Sequence, residues 1–184
     1  MNKIFPYPPD PRINKKIEVR EISLKFKGIF ATEGIKKGEI LFTNWNEGCV
    51  LRSREEIQKL PPAYRLVMET YSTELFENKY MGPSEEDPLL LPGHFINHSC
   101  DPNAWLISDH DVAARDDIEK GEQITIDYAT FVVNFFESSR ITNCLCGTAL
   151  CRREVKEKDW LRMRKMYKGH FLGWIEKKIE QREL

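Results

Sequence analysis

The sequence predicts an α+β protein, mainly β with a few helices. Apolar residues alternate with polar ones on a two-residue period through 17–31 and again through 104–128. Turn signals such as Lys37-Gly38 and the EKGE of 119–122 separate those runs. The apolar period changes to helical spacing only after Lys158.

Taken in order, the start MNKIFPYPPDPR reads as an extended arm stiffened by prolines. Val19, Ile22, Leu24 and Phe26 suggest strand material, punctuated by Gly28. IKKGEILF turns at Lys37-Gly38 into a further strand, and TNWNEGCVL reads as a hairpin. Ser53 and Glu56 form a capping box that starts a short helix ending near Leu60, where Pro61-Pro62 stops it. Residues 63–90 are aromatic-rich and hard to assign, and they close on the turn-like GPSEEDP. AWLI, DVAA and EQITIDY read as strands. Trp160, Met163 and Tyr167, then Phe171, Trp174, Ile175 and Ile179, follow a helical period that Gly169 breaks into two helices.

The chain has 184 residues, enough for one domain with its own core and an appended subdomain. It is 41% hydrophobic and 31% charged, an ordinary composition for a folded soluble domain. No run of about 18 apolar residues occurs, and the start lacks an apolar stretch of signal-peptide length. No membrane partner is expected. The formal net charge of −1 hides an asymmetry: Ser84–Asp127 carries 11 acidic and 2 basic residues, whereas Arg152–Leu184 carries 11 basic and 6 acidic. An acidic middle suits a basic protein substrate; two solvated faces that cancel each other account for the same numbers.

Five cysteines, an odd count, argue against a secreted disulfide framework. Cys144, Cys146 and Cys151 stand in CLCGTALC, a spacing that suits a tetrahedral thiophilic metal, zinc above all, which asks for a fourth ligand. Cys100 is the best candidate for it. Cys49, in the apolar GCVL, competes but reads as a small buried hydrophobe.

Cys100 belongs to HFINHSCDPN, residues 94–103. His94 and His98 share the spacing of a zinc-peptidase helix, but the glutamate that such a site needs is absent between them, and the surroundings are strand and turn. Cys100 as a thiol nucleophile paired with a histidine is a second reading. A third fits more of the chain. NHSC-x-PN, then GEQITIDY, then CLCGTALCR, preceded by KGIFATEGIKKGEILF, resembles the SET-domain protein lysine methyltransferases in order and spacing over roughly residues 18–153.

That resemblance implies a SET fold of small twisted sheets with a knot-like core, a helical insert and a helical tail. It divides the chain into an N-terminal arm (1–16), a SET domain (17–130, with a variable insert at 52–91), a post-SET zinc segment (131–153) and a C-terminal helical tail (154–184). It implies S-adenosylmethionine as methyl donor and structural Zn2+ on Cys100, Cys144, Cys146 and Cys151. It implies that Asn97 and His98 contact the donor, that Gly28, Ile29 and Phe30 run beside it, and that Leu145 faces its adenine. Tyr128 is the implied catalytic hydroxyl, Asp127 supports its loop, and Ile126 sits where the number of methyl groups added is set. Phe26 departs from the family, which commonly has glycine there, and Arg153 follows Arg152 where glycine is usual.

A lysine amine, with a pKa near about 10.4, is charged at neutral pH and must lose its proton in an apolar channel before attacking a methyl group. The implied activity is therefore protein-lysine N-methyl transfer to a basic protein or peptide, of which histone tails are the common family case. A SET scaffold that binds a basic partner without methylating it, or a zinc-stabilised binding module with no donor site, are the competing expectations. No direct nucleic-acid binding is expected. Four thiolates on zinc require a reducing compartment, so the expected location is intracellular, cytoplasmic or nuclear.

Overall fold

The computed structural model describes residues 10, 12–23, 26–44, 48–85 and 92–183. Most of the N-terminal arm, Leu24, the middle of TNWNEGCVL and the SEED-to-Leu91 stretch beyond Glu85 lie outside the described residues. In chain order the elements are β1 (Ile17–Ser23), β2 (Phe26–Ala31), β3 (Ile40–Phe42), β4 (Val50–Ser53), α1 (Arg54–Gln58), α2 (Pro62–Tyr71), β5 (Thr73–Phe76), β6 (Lys79–Gly82), β7 (Asn97–His98), β8 (Ala104–Leu106), β9 (Val112–Ala114), β10 (Gln123–Ile126), α3 (Asp159–Met163) and α4 (Gly173–Glu183). They fall into two compact units, each discontinuous in sequence.

The first unit is made of 1–45, 90–127 and 146–151. Its larger sheet runs β1-β2-β10-β7. β1 and β2 form an antiparallel hairpin with Val19 opposite Ile29 and Arg20 opposite Gly28. Period-two alternation decides which face is buried: Val19, Ile29, Ala31, Ile124 and Ile126 point into the core, while Arg20, Phe30, Gln123 and Thr125 stay half-buried on the other side. β7 joins β10 in parallel, placing Asn97 beside Thr125 and His98 beside Ile126. The smaller sheet, β3-β9-β8, buries Leu41, Phe42, Leu106 and all of Val112–Ala114.

The second unit is made of 46–89, 128–145 and 152–184. Its sheet is β4-β6-β5, and Ile57, Tyr64, Met68, Tyr80 and Phe136 form its core cluster. The expected capping box is present: Ser53 accepts from the Glu56 amide while the Glu56 carboxylate accepts from the Ser53 amide. The middle of TNWNEGCVL, expected as a hairpin, lies outside the described residues; β4 at its end pairs with β6, where Val50 faces Gly82 and Arg52 faces Tyr80. The first helix, α1, ends before Pro61-Pro62 as expected, but Pro62 is not only a stop: it begins α2, because proline at the first helical position gives up only an amide that had no partner there.

Gly28 is not a break either. It sits inside β2. In the tail, Gly169 at φ +82° separates α3 from α4 as its left-handed backbone requires. Among the described residues no helix is long and apolar enough to cross a membrane.

Candidate active site and cysteine cluster

β7 is only two residues long, yet it holds the two residues expected to meet the donor. Pairing to β10 fixes its register, and the Asn97 amide donates to the Lys27 carbonyl at 2.9 Å, tying β7 to β2. Gly28 is the point of closest approach. A Cβ there would lie 2.6 Å from Gln123 Nε2, 2.8 Å from Ile22 Cδ1 and 3.0 Å from Asn97 Nδ2, so only glycine fits without displacing them. Ile29 and Phe30 pair with β1 on one side and β10 on the other, and Ile29 is fully buried. Phe30 lies under the Arg20 guanidinium at 5.0 Å. Phe26, where the family commonly has glycine, is 65% exposed.

Gln123 escaped notice in the sequence. The alternation that buries Ile124 and Ile126 puts Gln123 on the Gly28 side of the sheet, and that signal was there to be used.

The His98 side chain is 3% exposed and stands between two groups. Its Nδ1 lies 3.6 Å from Oδ1 of the buried Asp127, and its Nε2 lies 3.2 Å from the Cys100 sulfur. His94 sits apart from this arrangement on a 3-10 turn, Pro92–Phe95, so the two histidines do not share a helix face.

The sulfurs of Cys100, Cys144, Cys146 and Cys151 all lie within 4.8 Å of one another. Thiolates at about 2.3 Å from a tetrahedral zinc stand about 3.8 Å apart, so this donor set fits zinc in number, chemistry and spacing. Cys100 and Cys144 are buried; Cys146 and Cys151 are partly so. Backbone bonds close the segment that carries three of them: Cys144 N donates to Arg153 O at 2.5 Å and Val155 N to Ile141 O at 2.9 Å. Gly147 at φ +72° and the Cys151 N to Thr148 O bond shape the turn between. Cys49 is outside the group and only half-buried, which corrects its reading as a buried hydrophobe.

Tyr128 opens a 3-10 turn, Tyr128–Thr130, directly after β10 and Asp127. The Phe131 and Val132 amides donate to its carbonyl at 3.2 and 2.9 Å, and its ring packs at 5.2 Å on Phe131. Part of its surface stays exposed, but burial pushes its hydroxyl up to about 12. The phenol is thus neutral at physiological pH. Ile126 is 2% exposed and faces the core. Leu145 is 86% exposed, an apolar side chain left standing in the open.

The close contact at Gly28 and the Asn97 amide beside it are features that a donor with an amino-acid end would fit. The SET domain family matches residues 27–129. A histone-lysine N-methyltransferase specific for H3 lysine 9, KMT1 of Fusarium mangiferae, is 30% identical over 152 residues, covering 68% of this chain and 44% of that protein. The H3 lysine-9 specific enzyme dim-5 of Neurospora crassa is 35% identical over 106 residues, 41% of this chain and 32% of its own. The histone-lysine N-methyltransferase ASHH2 of Arabidopsis thaliana is 28% identical over 144 residues, 74% of this chain and 8% of that protein. The matched region thus spans less than half the length of each of these relatives. The family match begins one residue before the glycine that meets Asn97 and ends one residue after Tyr128, and the chain belongs to the SET-domain family.

Proposed function

We propose that this chain transfers a methyl group from S-adenosylmethionine to the ε-amine of a lysine in a basic protein. The observation that carries the reading is the pairing of Asn97-His98 on β7 with Thr125-Ile126 on β10, which leads straight into Tyr128. Family membership and the names of the relatives support the same chemistry.

The donor, when bound, supplies an electrophilic methyl group on a sulfonium. The Asn97 amide and the Gly28 backbone would hold its amino-acid end, with Ile29 and Phe30 continuing the same strand; Leu145 and the His98 backbone would hold the adenine. Tyr128, kept neutral, offers a hydroxyl that can accept from or donate to the incoming amine and so fix its line of approach. Phe131, half-buried against the Tyr128 ring, adds apolar surface that would disfavour the charged ammonium, helping the lysine arrive without its proton. Ile126 brings no hydroxyl to hold a water or an amine, which favours more than one methyl per lysine. Zinc on Cys100, Cys144, Cys146 and Cys151 would be structural, with every coordination position filled by protein.

The substrate class follows from charge. The run from Ser84 to Asp127 is strongly acidic and matches a lysine-rich tail, with histone H3 the first candidate. The working location is the nucleus or the cytoplasm, and no direct contact with nucleic acid is required.

The test is transfer of labelled methyl groups to core histones, an H3 peptide, a ribosomal protein fraction and whole lysate, with Tyr128→Phe as control. Signal on one substrate, lost in the control, is the expected result. Donor binding without transfer to any fraction would favour a SET scaffold that only binds its partner.

A further inference from the structure

The second unit contains a buried acid that the chemistry above does not use. Glu74, on β5, is 1% exposed. Its Oε1 accepts from the Asn78 amide at 3.0 Å and from Asn134 Nδ2 at 2.8 Å, and its Oε2 accepts from the Asn134 backbone amide at 3.0 Å. Its own carbonyl accepts from the Trp174 indole at 3.0 Å.

Asn134 lies on the segment that runs on from the Tyr128 turn. That segment is gripped elsewhere too. Leu172 N donates to the Thr130 carbonyl at 3.0 Å. The Arg54 guanidinium donates to the Asn134 carbonyl at 3.0 Å, the Phe135 carbonyl at 3.2 Å and the Tyr80 hydroxyl at 2.8 Å, and it lies 4.2 Å over the Phe136 ring.

Burying a carboxylate is costly, and here neutral donors offset the cost. What the arrangement gives in return is position. A side chain of the insert and an indole of the tail meet at one residue, and from there the stretch 130–136 is held in a single place. Resting on the methyltransferase reading above, we propose that Glu74 is a positioning residue for Tyr128. It acts through Asn134 and, with Trp174, makes the insert hairpin and the C-terminal tail a brace for the catalytic turn.

The full chain carrying Glu74→Gln, Asn134→Ala or Trp174→Phe tests this. The last removes the indole N–H and shrinks the bicyclic ring to a phenyl while leaving the buried acid in place, so it serves as the test if the buried-acid variant does not fold. The readouts are kcat per donor-binding site on an H3 peptide, the ratio of mono- to higher-methylated product, donor affinity by calorimetry, and hydrogen exchange across 128–136.

We expect kcat to fall about tenfold or more in the first two variants and less in Trp174→Phe. The product ratio should shift toward fewer methyl groups, exchange across 128–136 should speed up, and donor affinity should stay within about twofold. A merely structural role would lower the yield of active protein but leave the product ratio and kcat per site unmoved. Folded variants with unchanged product ratio and unchanged exchange at 128–136 would overturn the proposal. A wild-type chain that binds the donor and methylates none of these substrates would overturn the methyltransferase reading itself. That outcome differs from an active wild type whose variants match it.

Discussion

His98 Nε2 stands 3.2 Å from Cys100 Sγ while the same ring turns its Nδ1 toward Asp127 at 3.6 Å. One imidazole thus links the cysteine cluster to the residue that precedes the candidate catalytic tyrosine. Groups that touch a metal ligand from outside typically govern metal affinity by about 10–100-fold. His98→Ala should weaken zinc binding by that amount, measured by competition with a chromophoric chelator. An unchanged zinc affinity would mean that the imidazole contact carries no energy.

The cluster should hold one zinc per chain. Cys146→Ser removes a ligand without touching β7 or β10, so metal content should drop toward zero and the melting temperature should fall with it. Elemental analysis of the purified chain decides the first point and thermal unfolding the second. A metal-free wild type of normal stability would contradict the assignment.

Gly28→Ala asks the neighbours for room they lack, since the new methyl would sit 2.6 Å from Gln123 Nε2 and 3.0 Å from Asn97 Nδ2. Both are ends of side chains, so the fold should survive at a cost of about 1 kcal/mol. Donor affinity should fall about tenfold as the Asn97 amide is pushed from the Lys27 carbonyl, a difference of about 1.4 kcal/mol. Calorimetry on the variant would show otherwise if the amide plays no part.

Burial raises the Tyr128 hydroxyl from its ordinary 10.0 to about 12. Methylation should therefore increase with pH as the substrate amine, near about 10.4, deprotonates, with no loss from the tyrosine in that range. The folded value lies above the unfolded one. The stability tied to the neutral phenol is complete below about 10 and is lost as pH rises toward about 12. Melting temperature should drop more steeply across that window in the wild type than in Tyr128→Phe; parallel curves would show that the phenol is not buried as described.

Asp159 is fully buried and accepts from Arg152 Nε at 3.0 Å, Arg162 at 3.1 Å and the Lys156 amide at 3.1 Å. Arg152 is itself 6% exposed. Asp159→Ala would leave that guanidinium buried without its partner, at a cost of about 3–5 kcal/mol in chemical unfolding. A loss below about 1 kcal/mol would place the pair in solvent.

The parts of this fold that the sequence made legible are those whose signal is local. Val19, Ile124 and Ile126 declare their face by alternation, Ser53 and Glu56 declare a helix start, and the Cys144-to-Cys151 spacing suits a metal. Cys100 was named with those three, and the four sulfurs do lie within 4.8 Å of one another. What escaped depended on partners far along the chain. β4 finds β6 beyond two helices, and no dipeptide announces it. Glu74 in TELF looks like any solvated acid until Asn134 and Trp174 are brought to it. The buried pair of Arg152 with Asp159 escaped as well, because Asp159 carries no mark of burial in sequence.

The order of the cysteines along the chain has a consequence for biosynthesis. Cys100 leaves the ribosome well before Cys144, Cys146 and Cys151, so a thiol that ends buried must wait, exposed and uncommitted, while the intervening residues are made. Capture of a metal by all four would then come late, after every described strand has emerged and before the two helices of the tail. A nascent chain that stalls within 101–143 carries Cys100 without the three thiols that would cage a metal with it, which leaves that sulfhydryl open to oxidants.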